Sequence, residues 1–261
     1  MKRSTICVAL TAVALICGLA QAELKHQYTF EDGTTNDYVG TAHGTLVGGA
    51  VVAGGALVTT AQDQWMAMPG NVIAMNTYPE VSIEEWYTPS GTNTSWSMLA
   101  YFGAQNPGAA WMGTDYFFIT SARDDNKSRA AISVGDSSAP WGDECGADGP
   151  EYDDAGVLHQ MVGTLTATDI ALYIDGVLIS SAMLVDNDYI GGISQQLAYL
   201  AKGGYGNDPE WIGSIQEFNI YNHALSDAEV AANFAAGPVP EPTTIALLSL
   251  GSLALIRRRK S

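Results

Sequence analysis

The chain has 261 residues, a length that suits one all-β domain with additional terminal segments. Its 28 acidic and 11 basic residues give a formal net charge of −17. Such a charge argues against a nucleic-acid partner, whose phosphates the protein would repel.

The first 22 residues have the three parts of a secretory signal. Lys2 and Arg3 provide a positive start, and residues 6–20 form an uncharged apolar run of fifteen residues. Residues 20–22, Ala-Gln-Ala, supply the small residues that precede signal cleavage. Because the run is shorter than the ~20 residues of a membrane span, we predict a signal peptide cleaved before Glu23.

The three cysteines decide between a signal peptide and a lipoprotein signal and determine whether a disulfide can form. Lipidation at Cys17 is the rival interpretation, but Ile16 stands where a small residue is expected. Cleavage before Glu23 leaves Cys145 alone, so no intrachain disulfide can form. Cys145 is then free or paired between chains.

Short runs rich in Val, Ile, Tyr, Phe and Thr, separated by Gly and Asx residues, predict an all-β fold. Asp175-Gly176 is a strong two-residue hairpin signal between two of these runs. The predicted strands are residues 26–31, 56–60, 64–68, 81–88, 96–103, 115–122, 130–134, 158–166, 170–174, 177–181 and 211–221.

One helix follows the last strand. Ser226 and Glu229 have the spacing of a capping box, and Val230 and Phe234 share one helix face. Gly237-Pro238 ends the helix, and the linker to the C-terminal segment follows.

The C-terminus has three parts in a fixed order. Pro240-Glu241-Pro242 precedes fourteen apolar residues, 243–256, and a basic cluster, 257–260, follows. An ordinary membrane anchor is the alternative, but fourteen residues are marginal for a span. The order resembles the PEP-CTERM sorting tail of Gram-negative bacteria. The resemblance implies export to the cell surface or the extracellular space, processing by an exosortase-type enzyme and transient membrane association through residues 238–261.

Between the two terminal segments the chain is more acidic than the whole. Removing residues 1–22 and 241–261 takes away six basic residues and one acid, so five basic and 27 acidic residues remain, or about −22. This charge fits a soluble exported protein or one that collects cations.

Five segments, taken in order, resemble the LamG-like jelly roll of the concanavalin A-like lectin/glucanase superfamily. They are residues 28–33, 36–46, 81–87, 159–176 and 213–226. The resemblance implies an all-β, two-sheet antiparallel jelly-roll sandwich over residues 23–237. It also implies, in many members, a structural calcium, with a role in binding glycans or surfaces. Residues 91–156 depart from the pattern, and individual specialisation is expected there.

Four carboxylates are the candidate calcium ligands. Calcium takes six to eight oxygen ligands, and Glu31, Asp32 and Asp37 near the first strand, with Glu217 in the last, can supply several. The alternative is a row of solvated acids at a sheet edge. The acidic segment 143–154 lacks the EF-hand order, and we interpret it as a solvated loop.

The superfamily includes glycoside hydrolases, which use paired carboxylates. The nearest pair is Glu84-Glu85, and neighbours on one strand face opposite ways, so they cannot act together. We therefore expect no catalytic residues.

Four aromatic residues flanked by Gly, Pro or acids are the candidate ligand-binding residues, because such rings can stack on sugars. They are Trp111, Trp141, Tyr152 and Tyr205. Trp65 and Trp86 lie within strand patterns and are expected in the core.

We expect a non-catalytic exported protein that binds a glycan or another extracellular polymer. The alternatives are a glycoside hydrolase or lyase of the same superfamily and a purely structural envelope protein.

Overall fold

The computed structural model describes residues 23–239 except 110, 126, 136–138 and 186–187. The strands are β1 Leu24–Tyr28, β2 Thr45–Val47, β3 Val51–Ala53, β4 Ala56–Thr59, β5 Trp65–Ala67, β6 Val81–Pro89, β7 Ser97–Gln105, β8 Gly113–Ala122, β9 Lys127–Ser133, β10 Cys145–Pro150, β11 His159–Leu165, β12 Asp169–Ile174, β13 Val177–Met183, β14 Leu197–Leu200 and β15 Gly213–Tyr221. The helices are α1 Gly70–Ile73 and α2 Asp227–Ala236.

The strands form two antiparallel sheets packed face to face. Sheet A has the order β13-β12-β11-β6-β15-β4-β3, and β1 pairs with β15 beside β4. Sheet B has the order β10-β9-β8-β7-β14-β5-β2. The predicted two-sheet antiparallel sandwich is confirmed.

Alternation along the strands builds the core between the sheets. In β8, Phe117 and Ile119 belong to the central hydrophobic cluster, whereas Tyr116 and Phe118 belong to a second cluster on the outer face of sheet B. This alternation follows from the two-residue period of a strand. Sheet B is therefore apolar on both faces, and its outer face can contact a ligand or another part of the chain.

Helix α2 covers part of the outer face of sheet A. Ser226 caps it, with both hydrogen bonds of the predicted capping box to Glu229 present. The Phe234 ring stacks on Trp86 of β6 at a centroid distance of 5.8 Å. Trp86 is thus buried, as predicted, but beneath the helix and not between the sheets.

One feature differs from the expectations for the middle of the chain. Residues 145–150, interpreted as part of a solvated loop, form strand β10 and pair with β9. Cys145 at its start is a buried, free thiol.

None of the helices in the described part of the chain has the length and apolar character needed to cross a membrane.

Candidate functional site

A cleft of about 520 Å³ opens on the outer face of sheet B, and we call it the aromatic cleft. Residues of β7, β8 and β9 line it, together with the loops around residues 96, 111, 141 and 205. The aromatic residues that line it are Trp96, Trp111, Tyr116, Phe118, Trp141 and Tyr205.

Three of these rings form a continuous aromatic surface. The ring centroids of Trp111 and Trp141 are 6.5 Å apart, and those of Trp141 and Tyr205 are 6.3 Å apart. Trp111 and Trp141 remain 49% and 51% exposed. Exposed aromatic rings held side by side can bind a ligand that has flat apolar faces and polar edges.

The cleft brings together three of the four aromatic residues predicted to bind a ligand: Trp111, Trp141 and Tyr205. Tyr152 lies elsewhere. It packs against the central core, with its ring 5.2 Å from that of His159. Tyr152 lies between Glu151 and Asp153, a pattern that predicts an exposed loop position and not this packing.

An ion-paired network forms one polar side of the cleft. Arg129 of β9 donates to Glu144 at 2.7 Å and to Asp148 at 2.5 Å, and Tyr116 donates to Glu144 at 2.8 Å. Burial raises the pKa of Glu144, although the charge of Arg129 opposes that shift. These bonds hold Glu144 in one position.

Trp96 and Arg123 contact each other in the lining of the cleft. The Arg123 guanidinium lies 5.6 Å from the centre of the Trp96 ring, within the range of a cation–π contact. Trp96 has a φ of 69°, in the left-handed region that bulky residues rarely adopt. Such strained positions cluster at functional sites.

Asp208 also lines the cleft. Its side chain is half-buried, and burial raises the pKa of its carboxyl to about 6. No sequence motif marks Arg123, Arg129, Glu144 and Asp208 as residues of a binding site. Three of these four lie within residues 91–156, where specialisation was expected.

Residues 59–231 match the family described as the concanavalin A-like lectin/glucanases superfamily. This match covers more than half of the chain. The chain belongs to this superfamily. Among curated proteins, none matches the sequence.

Solved structures with the same superfamily fold include several domains bound to sugars. One is domain 4 of an extracellular arabinanase from Geobacillus stearothermophilus in complex with arabinotriose, with a TM-score of 0.63, 21% identity and coverage of 81% of this chain and 98% of that one. Another is the CBM40 domain of the Ruminococcus gnavus IT-sialidase bound to α2,3-sialyllactose. Its TM-score is 0.56 and its identity 14%, with coverage of 68% of this chain and 95% of that one. At these identities the likeness shows the shared fold.

A third similar structure is the binding domain of botulinum neurotoxin DC, with a TM-score of 0.57, 14% identity and coverage of 82% of this chain. This chain spans about half, 51%, of that structure.

The C-terminal residues 238–260 match the PEP-CTERM protein-sorting motif. This match confirms the sorting signal and indicates an exported protein of a Gram-negative bacterium. The apolar and basic parts of the tail lie outside the described residues, as do the signal peptide and the cleavage before Glu23, which stay predictions.

The four carboxylates predicted to bind calcium each contact neighbouring groups in the fold. Asp37 accepts a hydrogen bond at 2.7 Å from His26 and further ones from the N–H groups of Gly40 and Ala42. Burial opposes ionisation of Asp37, but these bonds outweigh it and hold its pKa well below the usual range. Its oxygens are thus already occupied by donors.

The other carboxylates of that set are also engaged locally. Glu217 accepts from Gln27, Asn219 and the N–H of Val239, and Asp32 accepts from Thr34. Glu31 lies beside Gly55. Across the described residues, no group of three or more His, Cys, Asp or Glu is arranged to hold a metal ion. Calcium binding, and its assignment to these four carboxylates, stays a prediction.

The Glu84–Glu85 pair lies outside the aromatic cleft, in sheet A. Glu84 accepts from Tyr221 and from Asn233 of α2, on the outer face of that sheet. Glu85 is fully buried and alternates with the core residues Ile83 and Tyr87. The two carboxylates therefore face opposite sides of the sheet, as the strand period requires.

Proposed function

We propose that the domain is a non-catalytic carbohydrate-binding module that attaches an exported protein to a glycan outside the cell. The observation that carries the proposal is the aromatic surface that exposed Trp111 and Trp141 form with partly buried Tyr205 in the aromatic cleft. Sugar rings present apolar C–H faces and polar edges, which complement such rings and the charged groups around them.

Two further observations support a glycan as the ligand. The acidic balance of the chain disfavours nucleic acid. Similar folds have been solved with arabinotriose and with sialyllactose bound. The sorting motif would place the cleft at the cell surface or in the extracellular matrix, where polysaccharides are available.

The hydrolase alternative would require the two carboxylates of the cleft to act as a pair. Glycoside hydrolysis needs two carboxyl groups on either side of the scissile bond, one of them able to transfer a proton. Among the residues that line the cleft, the carboxylates are Glu144 and Asp208. Glu144 is held in an ion pair with Arg129, which stabilises its charged form.

The test is calorimetry on residues 23–239 with ligands selected on a glycan array, with calcium and with EDTA. Trp111→Ala and Trp141→Ala should each weaken binding by about 2 kcal/mol, roughly thirtyfold, as loss of a central aromatic contact does. Tyr38→Ala is the matched control, because Tyr38 is 48% exposed but lies outside the cleft.

The result against the proposal would be equal affinity for the Trp variants, the control and the wild type. Incubation of the bound glycan with the protein, followed by chromatography, tests the hydrolase alternative. Release of shorter oligosaccharides would show that the module is catalytic.

A further inference from the structure

The two arginines of the aromatic cleft are already neutralised by nearby acids. Arg129 pairs with Glu144 and Asp148, and Arg123 pairs with Asp148 at 2.8 Å. Asp124 and Asp125 lie 3.3 and 3.8 Å from Arg123, and Asp125 also pairs with Lys127. Four carboxylates thus surround three cations, and an anionic ligand would have to displace one of these carboxylates.

Asp208 differs from the other charged residues of the cleft. Among the described residues, none forms a hydrogen bond or an ion pair with its side chain. The charge of Lys202 lowers the pKa of Asp208, but that ammonium bonds to Glu210 at 2.5 Å and lies 4.5 Å from the centre of the Trp65 ring. The uncompensated charge of the cleft is therefore negative.

The backbone places Asp208 beside the aromatic surface. The Asp208 N–H donates to the Tyr205 carbonyl at 3.2 Å, so both residues belong to one turn. The Gly206 N–H in that turn donates to the Trp111 carbonyl, also at 3.2 Å. A free carboxylate and two aromatic rings are thus held together by main-chain bonds.

We propose that the aromatic cleft recognises a protonated amino sugar, as in a partly deacetylated polysaccharide, and that Asp208 accepts a hydrogen bond from its ammonium group. This inference rests on the proposed glycan-binding function and names the class of sugar. An ammonium group is attracted both to a carboxylate and to the faces of aromatic rings. A neutral sugar gains neither attraction.

The pH dependence follows from the burial of Asp208. The groups that face it are Lys202, Tyr205 and Tyr101, and burial raises the pKa of both tyrosines, that of Tyr205 to about 12. Neither tyrosine titrates near neutrality, whereas Asp208 with a pKa of about 6 does. The ionised fraction of Asp208 falls from about nine tenths near pH 7 to about one tenth near pH 5, while the sugar amine gains protons, so affinity should fall by up to about tenfold.

The test compares four hexasaccharides by calorimetry on residues 23–239: glucosamine, N-acetylglucosamine, glucose and galacturonic acid. At about pH 7 the glucosamine hexamer should bind at least about tenfold more tightly than the other three. Asp208→Asn should abolish this preference. The affinity of the variant for the glucosamine hexamer should also no longer fall between about pH 7 and pH 5. Asp154→Asn removes the same charge at an exposed position outside the cleft, so it should leave both unchanged.

The pH comparison separates a specific site from general attraction to an acidic protein. The sugar amine carries more charge near pH 5, so general attraction would hold or increase while the specific affinity falls. Equal losses for Asp208→Asn and Asp154→Asn would overturn the inference. A preference for a neutral or acidic hexamer would also overturn it but leave glycan binding intact. If none of the four hexamers binds, the inference is wrong as well. The measurements on Trp111→Ala and Trp141→Ala with ligands from the glycan array then test the proposed function separately.

Discussion

Glu85 lies in the core between the two sheets. Both of its carboxylate oxygens are buried, and neither has a hydrogen-bond partner among the described residues. Burial raises the pKa of this carboxyl well above its usual range. Its neighbour Glu84 is nearly as buried but accepts hydrogen bonds from Gln160, Asn219, Tyr221 and Asn233. One carboxyl of this pair is satisfied and the other destabilises the fold.

We predict that Glu85→Leu stabilises the domain by about 1–3 kcal/mol, because it removes an unsatisfied buried group. The stabilisation should grow with pH. A raised pKa means that the folded state retains its proton while the unfolded chain ionises above pH ~4.5, so the stability of the wild type falls as pH rises. Urea unfolding at about pH 5 and pH 7 should show a larger difference in the free energy of unfolding between the two proteins at pH 7.

The exposed Glu151 provides the control for that measurement. Glu151→Leu should change the free energy of unfolding by less than about 0.5 kcal/mol at both pH values. A Glu85→Leu protein that is less stable than the wild type would show that the carboxyl has a partner in solution.

Helix α2 is the element that closes the outer face of sheet A. Val230 packs with Val162, Tyr173 and Leu225, and Asn233 reaches the Glu84 network. The helix has ten residues, so in isolation it would be marginal and depends on its cap and its packing.

Ser226→Ala should therefore lower the free energy of unfolding by about 1 kcal/mol, because it removes the N-cap acceptor and its bond to Glu229. This loss corresponds to a decrease of about 2–4 °C in melting temperature for a domain of this size. The control is Ser181→Ala at an exposed position of β13, which should melt with the wild type. An unchanged melting temperature for Ser226→Ala would mean that packing alone holds the helix.

On the scale of the whole molecule, the aromatic cleft and the end of the described chain lie on opposite sides of the sandwich. The cleft occupies the outer face of sheet B. The chain leaves α2 on the other side, where the Val239 N–H donates to Glu217 of β15 at 2.6 Å. Attachment through the C-terminus would therefore leave the cleft accessible to a glycan.

Deletion of residues 240–261 should leave both stability and glycan binding unchanged, because the core and the cleft are complete without them. Melting curves and calorimetry of residues 23–239 and 23–261 would measure this. In cells that export the full-length protein, the same deletion should misplace it. A loss of more than ~3 °C on deletion would show that the sorting tail packs on the domain.

Much of the sandwich could be predicted from local pattern. Strands such as β6, β8, β11 and β12 carry enough β-branched and aromatic residues to be recognised, and Ser226 with Glu229 marks the helix start. Strand β10, with the sequence Cys-Gly-Ala-Asp-Gly-Pro, has no such pattern. It is a strand because its backbone pairs with β9 and its Asp148 bonds to Arg129.

The last strand shows what register adds. Ile215 and Phe218 are three residues apart, yet both face the core, because a bulge between Ile215 and Glu217 adds one residue. A period of two would have placed them on opposite faces.

The sequence by itself determined the fold class, the C-terminal sorting signal and the aromatic character of the loops. The tertiary structure alone decided that Trp111, Trp141 and Tyr205 share one cleft while Tyr152 packs against the core. It also decided that Asp37 and Glu217 accept several hydrogen bonds, whereas the Asp208 carboxylate accepts none from the described residues. Local residue spacing determines which face of a strand a side chain occupies. Pairing between distant strands determines which loops meet and which polar groups find partners.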